Sequence, residues 1–175
     1  SFVDLSESAD IIMSIVGVLL FVLASFTDML DGKIARKNNL VTDFGKFLDP
    51  LADKFMVIGA MICIFYNSSV NGEHNIAVLY LVSLIVVIFR ELAVTSIRLV
   101  ASSSGGVVIA ANKLGKIKTV TQIVAVCAAI IEPLVYRTVD VTGFVRDFPP
   151  FTFIVTILMI IFTIVSGINY IVGAW

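Results

Sequence analysis

The sequence predicts an all-α integral membrane protein with five transmembrane helices, and three observations lead there. The 175 residues are 59% hydrophobic and 14% charged, where a soluble domain carries about 45–50% apolar and about 25% charged residues. Mean hydropathy is +1.05. The apolar residues form continuous runs and do not alternate as barrel strands would, and the basic residues collect between alternate runs. This composition excludes a soluble globule and a disordered tail. A formal net charge of −1 leaves no large basic face, so no nucleic acid is expected as a partner.

A bilayer core of ~30 Å takes about 20 residues as a helix. The first run, Ile11–Thr27, comes close to that length. The second and third, Phe55–Tyr66 and Ile76–Phe89, reach it only if their helices continue into the charged stretches Asp49–Lys54 and Arg90–Val100. Charges inside a spanning helix are costly unless they face protein, water or a ligand, so these extensions point to function. The fourth run is Val120–Tyr136. The fifth, Phe151–Trp175, follows Pro149–Pro150, residues suited to start a helix. Asn169, Tyr170 and Trp175 read as interfacial anchors, His74 as a solvated loop residue, and Ser102–Gly106 as a flexible turn. Cys63 and Cys127 lie within apolar runs and form no disulfide framework.

Ten of the twelve Lys and Arg residues fall between runs one and two or between runs three and four. By the positive-inside rule those connections are cytoplasmic. The stretch Ser1–Asp10, with Asp4, Glu7, Asp10 and no basic residue, then lies on the outer side without a basic-then-apolar leader. The expectation is a single transmembrane domain over residues 1–175 whose first helix lies upstream of this chain.

Four aspartates cluster where the first run leaves the membrane and the second enters it. Asp28 and Asp31 are three apart, and Asp49 and Asp53 are four apart. Each pair therefore shares a helix face, and a helical hairpin can bring the pairs together. Converging carboxylates repel one another unless a cation sits between them. Hard oxygen donors suit Mg²⁺, Mn²⁺ or Ca²⁺, and no Cys/His cluster suits zinc. The reading is a divalent-cation site at the cytoplasmic membrane surface, with one metal or two. The plain alternative is an acidic loop paired with Lys33, Arg36, Lys46 and Lys54. Gly32 and Ala35 are small enough to admit a bulky group, and Arg36 offers a guanidinium to phosphate.

The eight positions Asp28-x-x-Asp31-Gly32-x-x-Ala35-Arg36, then Gly45-x-x-x-Asp49-x-x-x-Asp53, resemble the signature of the CDP-alcohol phosphotransferase family. The resemblance implies an enzyme that displaces CMP from a CDP-linked lipid or alcohol with a second alcohol. It also implies a six-helix membrane fold, here without its first helix, a homodimer, and two divalent cations, Mg²⁺ or Mn²⁺. Carried over by position, Asp28, Asp31 and Asp49 would hold the metals with Asp53 beside them. Asp53 would also be the base for the attacking hydroxyl. Asp28, Gly32, Ala35, Arg36 and Gly45 would contact the CDP moiety. Asp43 falls outside the pattern and reads as a loop residue or a helix cap.

A second, basic cluster bears on the acceptor. Arg90 and Arg98 are eight apart, about two helical turns, and Lys113, Lys116 and Lys118 follow a short loop. Five cations beside an acidic metal site suit an acceptor that brings its own phosphate. The plain alternative is contact with anionic headgroups. The strings RELAVTSIRLVA and KLGKIKTV resemble the glycerol-phosphate branch of the family. That resemblance implies CDP-diacylglycerol and sn-glycerol 3-phosphate as substrates and phosphatidylglycerol phosphate and CMP as products, with Glu91 orienting Arg90 or a lysine. It places the protein in a bacterial cell membrane among its lipids, with the site on the cytoplasmic side. The alternatives are another acceptor (inositol phosphate, serine or a neutral alcohol), a carboxylate-lined cation transporter, and a non-catalytic scaffold.

Overall fold

In the computed structural model the described residues, 2–37, 43–103, 113–139 and 148–174, form five α-helices and no strand. Some side chains inside the helices lie outside the description, namely those at 2–8, 10, 29, 31–33, 35–37, 43–51, 53, 98–103, 113, 137 and 174. The helices are α1 (Phe2–Lys37), α2 (Asp43–Val70), α3 (His74–Ser103), α4 (Lys113–Thr138) and α5 (Pro150–Ala174).

The first four apolar runs lie within longer helices, and α5 begins one residue ahead of the fifth. α2 starts at Asp43 and α3 runs on to Ser103, so both enter the charged flanks that the run lengths required. Four helices carry a stretch long and apolar enough to cross a membrane: Ile11–Asp28, His74–Ile97, Leu114–Tyr136 and Pro150–Gly173. α2 keeps the short apolar run that its sequence displays. Its apolar part is the shorter Lys54–Val70, because the helix spends its first turns on Asp43, Lys46, Asp49 and Asp53. Two local readings also shift. His74 is the exposed first residue of α3, and Ser102 and Ser103 belong to that helix rather than to a turn.

Side-chain contacts fix the packing directions. α1 meets α2 through the Ser25 hydroxyl at the Met56 sulfur, 3.8 Å away. α2 and α3 form a tight hairpin. Gly72 has φ 76°, the left-handed conformation that favours glycine after a helix end. The Glu73 N–H reaches back to the Ser68 carbonyl at 2.8 Å, closing the last turn of α2. α3 and α4 are antiparallel, with the Tyr80 hydroxyl donating to the Ala125 carbonyl at 2.6 Å. α3 and α5 run the same way, since the Thr156 hydroxyl approaches Tyr80 Oη at 3.4 Å and Arg90 reaches Ser166. The core between them holds Met61, Ile76, Tyr80, Val87, Val126 and Met159, with α2, α3, α4 and α5 all contributing.

At the end remote from the basic connections, Glu132 of α4 closes the start of α5. Its carboxylate accepts the backbone N–H of Phe151 at 3.1 Å and of Thr152 at 2.6 Å, and the Tyr136 hydroxyl at 2.6 Å. The first N–H groups of a helix have no intrahelical partner, and in an apolar surrounding each must find one. Pro150 at the first position needs none.

Candidate functional site

Two charged regions lie toward the end of the bundle that carries the α1–α2 and α3–α4 connections. In the first, half-buried Asp28 lines an open cleft of about 310 Å³ together with Ala24, Ala52 and Met56. The cleft lies between α1 and α2. Ala24 precedes Asp28 by one turn on α1, and Ala52 and Met56 are one turn apart on α2. By helical register, positions 49, 52, 53 and 56 share one stripe of α2, so the backbone sets positions 49 and 53 on the stripe that forms this wall. Position 31 likewise follows Asp28 by about one turn of α1. Asp28 is thus the one aspartate of the four whose side chain is described. Those of Asp31, Asp49 and Asp53, with Ala35, Arg36, Gly32 and Gly45, lie outside the described residues. Among the described residues no three His, Cys, Asp or Glu side chains converge. A carboxylate facing an open cleft is a donor of the kind that hard divalent cations take, so the described part fits such an ion.

The second region is a buried ionic knot at the α3–α4–α5 seam. Arg90 Nη1 donates to Glu91 Oε1 at 2.9 Å. Lys118 Nζ donates to the same oxygen. Arg90 Nη2 donates to Ser166 Oγ at 2.6 Å. Glu91 is 8% exposed and Lys118 7%. Consecutive helix residues diverge by about 100°, so Arg90 and Glu91 meet only because both turn into the seam, one toward α5 and the other toward α4. Beside the knot, Lys54 of α2 donates to Thr95 of α3 at 2.6 Å, one turn beyond Glu91. Among the described residues, one carboxylate therefore faces a buried lysine and a half-buried arginine, with a third cation nearby. Arg90 Nε and Gln122 Nε2 are buried without a partner among the described residues, and Gln122 follows Lys118 by one turn.

Of the residues expected in the basic site, the fold brings together Arg90, Glu91 and Lys118. Lys116 is exposed; it is two residues from Lys118, and about 200° separates them around α4. The Arg98 and Lys113 side chains lie outside the described residues. Sequence reasoning missed Ser166, Gln122, the Lys54–Thr95 bridge and Glu132. A signal existed for Ser166 and Glu132: each is a polar residue in an otherwise apolar span, and such residues face protein. Asn169, read as an anchor, is exposed and lines an apolar groove with Leu114, Val165, Ile168 and Val172.

The model of the CDP-alcohol phosphatidyltransferase family matches residues 8–173. The chain is 45% identical over 159 residues to the CDP-diacylglycerol–glycerol-3-phosphate 3-phosphatidyltransferase of Bacillus subtilis, covering 91% of this chain and 73% of that one. It is 41% identical over 110 residues to CDP-diacylglycerol–glycerol-3-phosphate 3-phosphatidyltransferase 2 of Arabidopsis thaliana, 61% of this chain and 47% of that one. The Mycoplasma genitalium enzyme of the same name is 40% identical over 112 residues, 64% and 43% of the two chains. The chain belongs to the CDP-alcohol phosphatidyltransferase family.

Proposed function

We propose that this member of the CDP-alcohol phosphatidyltransferase family transfers the phosphatidyl group of CDP-diacylglycerol to sn-glycerol 3-phosphate, giving phosphatidylglycerol phosphate and CMP. The observation that carries the acceptor is the excess of positive charge in the knot. Arg90 and Lys118 share one glutamate oxygen, and Arg90 Nε has no acceptor among the described residues. A buried cation in excess calls for an anion. An acceptor with its own phosphate supplies one, and a neutral alcohol does not. The names of the Bacillus and Mycoplasma relatives point the same way.

In this reading the acceptor hydroxyl attacks the phosphorus that bears diacylglycerol. A new P–O bond forms, the P–O bond to CMP breaks, and the hydroxyl proton passes to Asp53. Asp28, Asp31, Asp49 and Asp53 hold the divalent cations, and the lining of the cleft by Asp28 supports that set. Mg²⁺ or Mn²⁺, when bound, supplies charge neutralisation to the diphosphate and to the departing CMP. Gly32, Ala35, Arg36 and Gly45 receive the cytidine diphosphate. Arg90, Arg98, Lys113 and Lys118 receive the acceptor's phosphate, and Glu91 holds Arg90 and Lys118 until it arrives. Exposed Lys116 is left out of that set. The acyl chains stay in lipid. The clustering of ten of twelve cations at this end supports a cytoplasmic site. A homodimer belongs to the same reading.

The test is CMP release by the purified protein in lipid, with CDP-diacylglycerol and, in turn, glycerol 3-phosphate, inositol phosphate, serine and glycerol. Release is expected with glycerol 3-phosphate, lost in chelator and restored by Mg²⁺ or Mn²⁺. Preference for an uncharged acceptor overturns the acceptor assignment, and full activity after chelation overturns the metal set.

A further inference from the structure

The α5 span has the highest hydropathy of the four, yet its buried side is polar or small. Thr152, Thr156, Met159, Thr163, Ser166 and Gly167 are all buried. Their spacing of three and four residues makes one stripe facing the bundle, the pattern by which membrane helices approach closely. At Ser166 and Gly167 this stripe meets the charged knot. Ser166 Oγ accepts the Arg90 Nη2 hydrogen bond at 2.6 Å. A Cβ placed on Gly167 would stand 3.1 Å from Arg90 Cγ, tighter than ordinary contact. One residue thus holds the end of the arginine and the next leaves room for its shaft. With Nη1 held by Glu91, the planar guanidinium is fixed at both Nη atoms, and a planar group held at two points has its plane defined. Arg90 Nε keeps a hydrogen with no acceptor among the described residues.

We propose that Ser166 and Gly167 are positioning residues that seat the Arg90 guanidinium for the acceptor's phosphate. Neither touches substrate; both act through Arg90, and the inference rests on the reading of Arg90 as an acceptor ligand. Ser166→Ala leaves a buried Nη2 hydrogen unpaired and frees the guanidinium to turn. Gly167→Ala keeps the hydrogen bond and displaces the arginine shaft by a few tenths of an ångström. A general packing role for the pair would lower stability and affect both substrates alike. A seat affects one of them.

The experiment is steady-state kinetics of the protein in lipid, varying glycerol 3-phosphate and CDP-diacylglycerol separately. Ser166→Ala is expected to raise KM for glycerol 3-phosphate about tenfold, the order expected for a hydrogen bond to a charged group. KM for CDP-diacylglycerol should stay within about twofold and kcat within about threefold, and Ser166→Thr should restore the acceptor KM. Gly167→Ala should raise the same KM several-fold, and it carries the test if Ser166→Ala does not fold. Equal changes in both KM values, or no rescue by threonine, overturn the seat. Arg90→Lys separates the two possible failures. If it raises the acceptor KM while the α5 variants do not, the seat is wrong and the acceptor site stands. If it leaves that KM unchanged, the acceptor site falls and the seat falls with it.

Discussion

At the α1–α2 hairpin an aspartate faces an open cleft walled by two alanines and a methionine, whereas at the α3–α4–α5 seam a glutamate is buried between two cations. The first region sets one described carboxylate, Asp28, in a cleft between two helices, and the described residues that line the cleft with it carry no opposite charge. The second supplies both signs of charge itself and buries them. This difference separates what each region does for the molecule. Charges facing an open cleft can be removed with little effect on folding. Charges that satisfy one another in an apolar seam belong to the fold as well as to the site, because breaking a buried pair leaves an uncompensated charge. In the proposed reaction, the acceptor's phosphate arrives at an Arg90 and a Lys118 that Glu91 already holds.

The comparison is tested most strongly at Glu91. Glu91→Gln leaves Arg90 and Lys118 without their anion and is expected to destabilise the protein by about 3–5 kcal/mol, read as a lowered thermal midpoint in detergent. An unchanged midpoint would mean that the knot is not structural. Asp28→Asn should do the opposite. It is expected to reduce CMP release by at least about 100-fold while moving stability by no more than about 0.5 kcal/mol, measured on the same preparation. A large loss of stability there would erase the contrast between the two regions. Glu132→Ala sharpens the contrast from outside both regions. It strips acceptors from two N–H groups of α5 and should destabilise by about 2 kcal/mol. Both KM values should stay unchanged, because Glu132 lies at the other end of the helices.

Much of this was legible in the amino-acid order. The five helices followed from run length and charge placement, and the extension of α2 and α3 into charged residues followed from the bilayer's thickness. The acidic motif was legible because its spacing is local, three and four residues within one helix. The basic site was only half legible. Arg90, Glu91 and Lys118 stood out as charges near apolar runs, but which lysine turns inward depends on the rotation of α4, and Lys116 and Lys118 differ in nothing that the sequence displays. Ser166 was hidden for another reason. A serine is unremarked in a chain with many of them, and its importance comes from a partner 76 positions away. The stripe Thr152, Thr156, Thr163, Ser166 was readable as a polar line in an aliphatic helix, and that line marks the side of α5 that faces the other helices.

The order of synthesis gives that stripe a further meaning. α5 leaves the ribosome after the other four helices, and two of the earlier ones wait for it: Glu132 for the N–H groups of Phe151 and Thr152, and Arg90 for the hydroxyl of Ser166. Until α5 docks, a carboxylate and a guanidinium lack those partners in a hydrocarbon setting where such groups are costly. A nascent chain halted before Pro150 therefore keeps the Arg90–Glu91 and Tyr136–Glu132 contacts but lacks the partners on α5 that complete both, so the last helix to be made closes the two ends of the bundle.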